Sequence, residues 1–216
     1  MKPTILAKNL TRVLMGTTNE QRITPFVVSK YGDDMTIITD STNESHYETI
    51  DFKGNITGNQ VECKSRSCEY EDWNDTMVGL NKVEEYEKLI ADGKRCWFLF
   101  MFVDGTYEWE YTKENYEKNV KDQRSRGKEA IRRAPPSYVV DANSSFNPNK
   151  LHLYIIIENL TPVSNICAFL PPDIEAKRQK KKALWEAKKK TFKRTKDNYK
   201  NDSILTGKCL INIKDF

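Results

Sequence analysis

Three charged residues near position 60 have the types and spacing needed for metal-assisted chemistry. In Val61-Glu62-Cys63-Lys64, the alternation of a β-strand would place Glu62 and Lys64 on one face. Asp51 lies on the preceding predicted strand, so an Asp, a Glu and a Lys could converge at one small site. Two carboxylates and an ammonium group at one site suit the hydrolysis of a phosphodiester bond.

The turn between the two predicted strands sets their register. Residues 54–59 are rich in Gly and Asn, which indicates a β-hairpin. If Gly54 opposes Asn59, Asp51 stands directly opposite Glu62, with the Cβ atoms roughly 4.5–5.5 Å apart. The two carboxylates would then repel each other, and a divalent cation would neutralise them. Mg²⁺, with Mn²⁺ as a substitute, prefers one or two carboxylates together with water and phosphate oxygens.

Each group has a chemical use. A metal held by Asp51 and Glu62, with the carbonyl of Cys63 as a further oxygen ligand, would polarise a phosphate oxygen and lower the pKa of a bound water. Lys64 could orient that water or help to deprotonate it, and could stabilise the charge that develops on phosphorus.

Other interpretations of these residues stay open. Asp40 and Glu48 compete with Asp51 as the first carboxylate, but Glu48 alternates to the other face of its strand and Asp40 precedes a polar loop. Glu62 and Lys64 could also form an ordinary surface ion pair on a solvent-facing hairpin, which would contribute under ~1 kcal/mol.

The surrounding pattern predicts an α/β fold in which helices and strands alternate. The predicted elements are a helix over 20–30 that Pro25 interrupts or shortens, a strand over 35–39, hairpin strands over 47–53 and 60–66, a helix over 76–91, strands over 95–103 and 106–111, a charged helix over 112–131, a strand over 151–158, a basic helix over 173–200 and a strand-like end over 209–213. The predicted organisation is an N-terminal arm (1–17), a core (18–112), a helical and strand extension of that core (113–170) and a basic C-terminal helix and tail (171–216).

Asp51, followed after ten residues by Glu62-Cys63-Lys64, resembles the D…E-x-K signature of the PD-(D/E)XK nuclease superfamily, with similarity to its Holliday-junction-resolvase-like and phage-type nucleases. The resemblance covers about residues 18–112, and Ile50 stands where the signature often has Pro. It implies a restriction-endonuclease-like mixed sheet with the element order helix, strand, hairpin, helix, strand. It also implies Mg²⁺-dependent cleavage of DNA and a homodimer. Glu20 matches a further acidic residue that many members carry on the first helix, although Pro25 makes that match less direct.

The C-terminal segment carries most of the positive charge. Residues 175–200 contain 12 Lys and Arg against 3 Asp and Glu, in a chain whose formal net charge is +4. Such a segment is typical either of a solvated helix or of a surface that binds a polyanion, with nucleic acid favoured over membrane. The candidate DNA-contacting residues in it are Lys180, Lys181, Lys182, Lys188, Lys189, Lys190, Lys193 and Arg194.

Aromatic residues recur in the same segment. Trp185, Phe192 and Tyr199 are spaced by seven, which places them along one stripe of a helix. This stripe could dock on the body of the protein or on a second copy, or its rings could contact bases.

Three further residues have two interpretations each. Lys82 could contact a phosphate from the helix after the signature, or could be an exposed helix residue. Tyr70 and Trp73 could stack on bases or insert into a DNA junction, or could anchor their loop on the core.

The apolar runs and the cysteines indicate which class of protein this is. The longest apolar run, residues 97–103, is far shorter than the roughly 20 residues of a membrane span, and no signal peptide is predicted. The five cysteines are scattered, which favours reduced thiols and a cytoplasmic protein. The resemblance to phage-type nucleases also allows a virus-encoded protein that acts in a host cell. Besides a nuclease, the sequence allows a catalytically inactive nucleic-acid-binding or packaging protein on the same fold, or an adaptor whose basic helix binds an acidic protein.

Overall fold

The computed structural model describes residues 5–38, 51–133 and 151–187, and for residues 5–13 it defines the helical backbone alone. The elements in chain order are α1 (Ile5–Tyr31), β1 (Met35–Ile37), β2 (Phe52–Gly54), β3 (Gln60–Ser65), β4 (Asp75–Gly79), α2 (Leu80–Ala91), β5 (Cys96–Phe102), β6 (Gly105–Glu110), α3 (Lys113–Ser125), β7 (Ile131–Arg133), β8 (Leu151–Ile156), β9 (Thr161–Ser164) and α4 (172–187). Short 3₁₀ helices cover Tyr70–Asp72 and Ile157–Asn159. The chain divides into two compact units, Met1–Pro171 and Pro172–Phe216.

The first unit is built on a mixed sheet with the strand order β1-β2-β3-β5-β6-β9. Strands β3 and β5 are parallel, and the other neighbours in this sheet are antiparallel. Strands β4, β8 and β7 form a second, antiparallel sheet. The predicted α/β class is therefore confirmed.

Strand β5 is the centre of the core because its apolar residues alternate between two packed faces. All seven residues from Cys96 to Phe102 are buried. One face packs against α1 in a cluster that contains Ile23, Val27, Tyr31, Val61, Cys63, Trp97, Leu99 and Met101. The other face packs against α2 and the second sheet in a cluster that contains Val78, Val83, Tyr86, Phe98, Phe100, Phe102, Leu153 and Ile155. Burial of each large side chain contributes about 1.5–3 kcal/mol, so these clusters fix the strands that carry Glu62 and Lys64.

Helix α1 is continuous through Pro25, so the predicted interruption is wrong. An internal proline removes one backbone hydrogen bond and costs about 3 kcal/mol. Ile23 and Val27, which flank it, are fully buried and offset that cost. The arm predicted for residues 1–17 is replaced, from Ile5 onward, by the first turns of this helix.

Two other predicted helices are shorter than expected. Asp75–Gly79 is a strand that pairs with β8, and α2 begins only at Leu80. Val78 fits both a helical and an alternating pattern, and the pairing with β8 decides between them. Helix α3 ends at Ser125, because Gly127 adopts a φ of 70°, which stops the helix. The chain then enters strand β7, which the sequence did not indicate.

The extension after position 112 contributes to both sheets. Strand β8 lies within the predicted range, whereas β9 was not predicted. Pro162 lies in β9, at the edge of the large sheet, where a missing N–H is tolerated.

The second unit contains α4, whose predicted start near position 173 agrees with the observed helix over 172–187. Leu184 and Trp185 are 56% and 55% exposed. Phe192, Tyr199 and the strand-like end over 209–213 lie outside the described residues. Within the described part of the chain, no helix is long and apolar enough to cross a membrane.

We predict that Pro25→Ala raises the free energy of unfolding by about 1–3 kcal/mol, because the alanine N–H can restore the hydrogen bond that proline lacks. Urea denaturation followed by circular dichroism would measure this. If the free energy of unfolding of Pro25→Ala were unchanged or lower, this would contradict the placement of Pro25 in the interior of a regular helix.

Candidate active site

The hairpin has the predicted register. Phe52 pairs with Val61 and Lys53 with Gln60, and the N–H of Gly54 donates to the carbonyl of Asn59 at 2.8 Å. Asp51 immediately precedes β2, and its Oδ2 accepts a hydrogen bond from the N–H of Cys63, the neighbour of Glu62 in β3. The hairpin register is the predicted one, and it brings the carboxylate of Asp51 close enough for its charge to act on Glu62. The competing carboxylates Asp40 and Glu48 lie outside the described residues.

Asp34 fixes the tip of this hairpin, a role that the sequence did not reveal. Its Oδ2 accepts hydrogen bonds from the N–H groups of Ile56 at 2.8 Å and Thr57 at 2.9 Å. The bonds from Thr57 and Ile56 hold the pKa of Asp34 below its ordinary value. The hairpin loop is therefore tied to the turn that precedes β1.

Asp51 is attached to the backbone of β3. Its Oδ2 accepts a hydrogen bond from the N–H of Cys63 at 2.7 Å, and its own carbonyl accepts from Ile38 at 3.0 Å. The N–H and C=O of one strand residue point towards the same neighbouring strand, so the carbonyl of Cys63 also faces the side where Asp51 lies. The thiol of Cys63 is buried in the core beneath α1, so the residue presents its backbone to the site.

Glu62 is fully buried, with a relative exposure of 0%. Its Oε1 forms an ion pair with the ammonium group of Lys64, and its Oε2 lies 2.9 Å from Nζ of Lys82. The side chain of Lys82 is 12% exposed, so the interpretation of Lys82 as an exposed helix residue is wrong. The interpretation of Glu62 and Lys64 as a surface ion pair is wrong too, because the carboxylate has no contact with solvent.

The charges of this cluster shift the protonation of its members. Burial raises the pKa of Glu62, the charge of Asp51 raises it further, and Lys64 and Lys82 oppose both effects. Burial alone would lower the pKa of Lys64, but the carboxylates of Glu62 and Asp51 outweigh burial and the pKa is raised. Lys64 therefore keeps its positive charge, and its side chain is 31% exposed.

Glu20, from α1, belongs to the same electrostatic cluster. Burial and the charge of Asp51 raise its pKa to about 7, against the pull of Lys64. Glu62 and Lys82 also act on it. The structure therefore places near one another the residues that the resemblance proposed as catalytic, and adds Lys82 to them.

Arg66 supports the cluster and was not singled out in the sequence. Its Nε donates to Oγ1 of Thr76 at 2.9 Å, and a second guanidinium nitrogen donates to the carbonyl of Met77. The guanidinium lies over the ring of Phe100, 5.5 Å from its centroid. Arg66 thus joins the end of β3 to β4, just before α2. The sequence contained a signal for this role, because Glu62, Lys64 and Arg66 alternate along the strand and alternate residues share one face.

The two loop aromatics differ in placement. The ring of Tyr70 stacks on Tyr107 with centroids 3.9 Å apart, and its hydroxyl donates to the carbonyl of Ile157 at 2.8 Å. Tyr70 therefore anchors its loop, which was one of its two interpretations. Trp73 is 68% exposed, so the interpretation of its ring as a core anchor is wrong and its contact with bases stays a prediction.

The predicted DNA-contacting lysines fall into two groups. Lys180, Lys181 and Lys182 are exposed on α4. The remaining candidates, which lie outside the described residues, are Lys188, Lys189, Lys190, Lys193 and Arg194.

The oxygen donors at the hairpin are of the chemical type that a hard divalent cation prefers. In the part of the chain that the structure describes, no three side chains of His, Cys, Asp or Glu form a group able to hold a metal. Asp51 and Glu62 would supply two carboxylates, and the carbonyl of Cys63 a third oxygen. This set matches Mg²⁺, which takes few protein ligands and keeps several waters.

Comparisons of the chain with protein-family models, with curated proteins and with solved structures found no match.

We predict that Glu20→Gln removes a pH-dependent loss of stability. The pKa of Glu20 is about 7 in the folded protein against 4.5 when unfolded, so the folded state binds more protons between these values and its stability falls as pH rises through them. The variant should match the wild type near pH 4.5 and exceed it by roughly 1–3 kcal/mol at pH 8. Urea denaturation at both pH values measures this difference.

Glu84→Gln, at an exposed position of α2, is the matched control. A pH-independent difference between Glu20→Gln and the wild type would contradict the burial of Glu20 beside Asp51.

Proposed function

We propose that this protein is a Mg²⁺-dependent DNA endonuclease that hydrolyses phosphodiester bonds. The observation that carries the proposal is that Asp51, bonded to the N–H of Cys63, lies close to the buried Glu62, which is paired with Lys64. Two carboxylates held against their own repulsion form a site for a divalent cation, and the lysine supplies a fixed positive charge beside it.

The fold supports assignment to the PD-(D/E)XK superfamily. Helix α1, strand β1, the β2–β3 hairpin, helix α2 and strand β5 follow one another in the order that the resemblance implies, with β4 inserted before α2. Strands β1, β2, β3 and β5 are neighbours in the mixed sheet, and Asp51, Glu62 and Lys64 lie on its central hairpin. This order of elements is the support for proposing a restriction-endonuclease-like core.

The residues of the proposed site would have different roles in hydrolysis. Asp51, Glu62 and the carbonyl of Cys63 would hold Mg²⁺, or Mn²⁺ in its place. When bound, the ion would polarise a phosphate oxygen and lower the pKa of a water. Lys64, charged and partly exposed, would contact the phosphate and stabilise the negative charge that develops on it.

Glu20 is suited to proton transfer at neutral pH. A carboxyl group with a pKa of about 7 is present in both protonation states under these conditions. It can therefore accept a proton from the attacking water or give one up near the reacting phosphate.

The substrate that fits the charge distribution is DNA. The exposed lysines of α4 would neutralise phosphates, and the exposed ring of Trp73 offers a surface on which a base can stack. Branched, Holliday-junction-like DNA is the substrate suggested by the resolvase-like resemblance. A homodimer would allow symmetric cutting of two strands.

A DNA-binding or packaging protein on an inactive nuclease fold is the second candidate. The observation in its favour is that both oxygens of Glu62 are engaged by lysine side chains. Such a protein would bind DNA through its basic segment without cleaving it.

We predict that Lys64→Ala lowers the rate of Mg²⁺-dependent cleavage at least about 100-fold, because a charge aimed at the transition state is lost. Labelled four-way junctions and linear duplexes are incubated with Mg²⁺ or Mn²⁺, and the products are resolved on gels. Lys88→Ala, at an exposed position of α2 where Lys88 pairs with Glu85, is the matched control and should cleave at the wild-type rate.

Absence of cleavage of any substrate by the wild type, with DNA binding retained, would favour the inactive protein. Cleavage by Lys64→Ala at the wild-type rate would refute the proposed role of Lys64.

We predict that replacing Lys180, Lys181 and Lys182 together by alanine weakens DNA binding and flattens its salt dependence. Each phosphate contact contributes about −0.9 to the slope of log K against log salt, so the slope should become less negative by up to about 2.7. Fluorescence anisotropy over a series of NaCl concentrations measures it. The control variant replaces three exposed lysines of α3, Lys113, Lys118 and Lys121, and thus removes the same charge. Equal slopes in the α4 and α3 variants would contradict a specific role for α4.

A further inference from the structure

Two lysines from different elements engage the carboxylate of Glu62. Lys64 comes from the same strand, two residues along, whereas Lys82 comes from α2 and meets the opposite oxygen, Oε2, at 2.9 Å. Because Glu62 is fully buried, these ammonium groups stand where water or a cation would otherwise balance its charge.

The backbone that carries Lys82 is fixed, but its side chain is long and flexible. Val83 and Tyr86 of α2 are buried in the core, and the hydroxyl of Tyr86 donates to the carbonyl of Trp97 at 2.7 Å. The helix therefore cannot withdraw from Glu62, whereas rotation about the four-carbon stem can move the ammonium group alone.

We propose that the ammonium group of Lys82 is the counter-ion of Glu62 in the metal-free protein. It pairs with Oε2 of Glu62 and moves away when a divalent cation binds there. This inference rests on the proposed function, since it assumes that Glu62 is a metal ligand. A cation that binds to Glu62 and Asp51 competes with Lys82 for the same carboxylate, and its charge repels the ammonium group.

Two consequences follow from this competition. Lys82 weakens the affinity for the metal, because part of the binding free energy is used to break its ion pair. By linkage, the metal in turn weakens the hold of Glu62 on Lys82, and the released ammonium group becomes available to a phosphate of the bound DNA. Lys82 thus keeps the buried carboxylate neutralised until the metal binds.

The test is isothermal titration of the full chain with MnCl₂ and with MgCl₂, in the absence of DNA. Lys82→Met keeps the length of the side chain and removes its charge, so it should bind the ion roughly 5–150-fold more tightly than the wild type. Lys88→Met, which removes an exposed charge from the same helix, should bind like the wild type. Equal or weaker affinity in Lys82→Met would overturn the inference.

A measurement on the wild-type protein covers the case in which Lys82→Met does not fold. NMR spectra of protein labelled at the lysine side chains would follow the signal of Lys82 during titration with MgCl₂. A change in that signal that saturates together with metal binding supports the release of Lys82, and an unchanged signal at saturating Mg²⁺ overturns it.

These outcomes are distinct from a failure of the proposed function. If the wild type and Lys82→Met both bind neither ion, the metal site itself is refuted and the inference falls with it. If the wild type binds Mg²⁺ and cleaves DNA while Lys82→Met shows no gain in affinity, the inference alone is refuted.

Discussion

The structure depends on a carboxylate that is buried without access to water. Moving an ionised glutamate into the interior costs several kcal/mol, and opposite charges with good geometry must offset that cost. Glu62 meets this requirement with Lys64 and Lys82, one ammonium group on each oxygen. Removal of either partner would leave an uncompensated charge, so the positions of β3 and α2 are constrained by this one group as well as by the apolar core.

The apolar core holds the partners of Glu62 in place. Strand β3 lies between β2, which leads from Asp51, and β5, whose residues are buried on both faces. Helix α1 covers one face and brings Glu20 to the cluster, while α2 covers the other and brings Lys82. Charged residues from three separate elements, and Asp51 from the segment that leads into β2, thus meet because the sheet and the two helices pack in one way. The same packing explains why Glu20, far from the hairpin in sequence, has a pKa near neutrality.

Local signals in the sequence were sufficient for the hairpin and insufficient for its surroundings. The Gly- and Asn-rich turn determines which residues pair, so the pairing of Phe52 with Val61, the residues next to Asp51 and Glu62, followed from counting along two strands. The contact of Lys82 with Glu62 depends on where α2 begins, and the pairing of β4 with β8 moved that start to Leu80. The continuity of α1 through Pro25 likewise depends on tertiary burial, which outweighs a local propensity. The role of Tyr70 was decided by Tyr107, a partner distant in sequence.

The central claim is that Asp51 and Glu62 together bind a divalent cation, and a crystal of the protein soaked in MnCl₂ tests it most directly. The account predicts an anomalous difference peak at coordination distance, about 2.0–2.6 Å, from a carboxylate oxygen of each residue and from the carbonyl of Cys63. In the same map, the ammonium group of Lys82 should have moved away from Glu62. No peak at the hairpin at saturating Mn²⁺, with both lysines still paired to Glu62, would contradict the account.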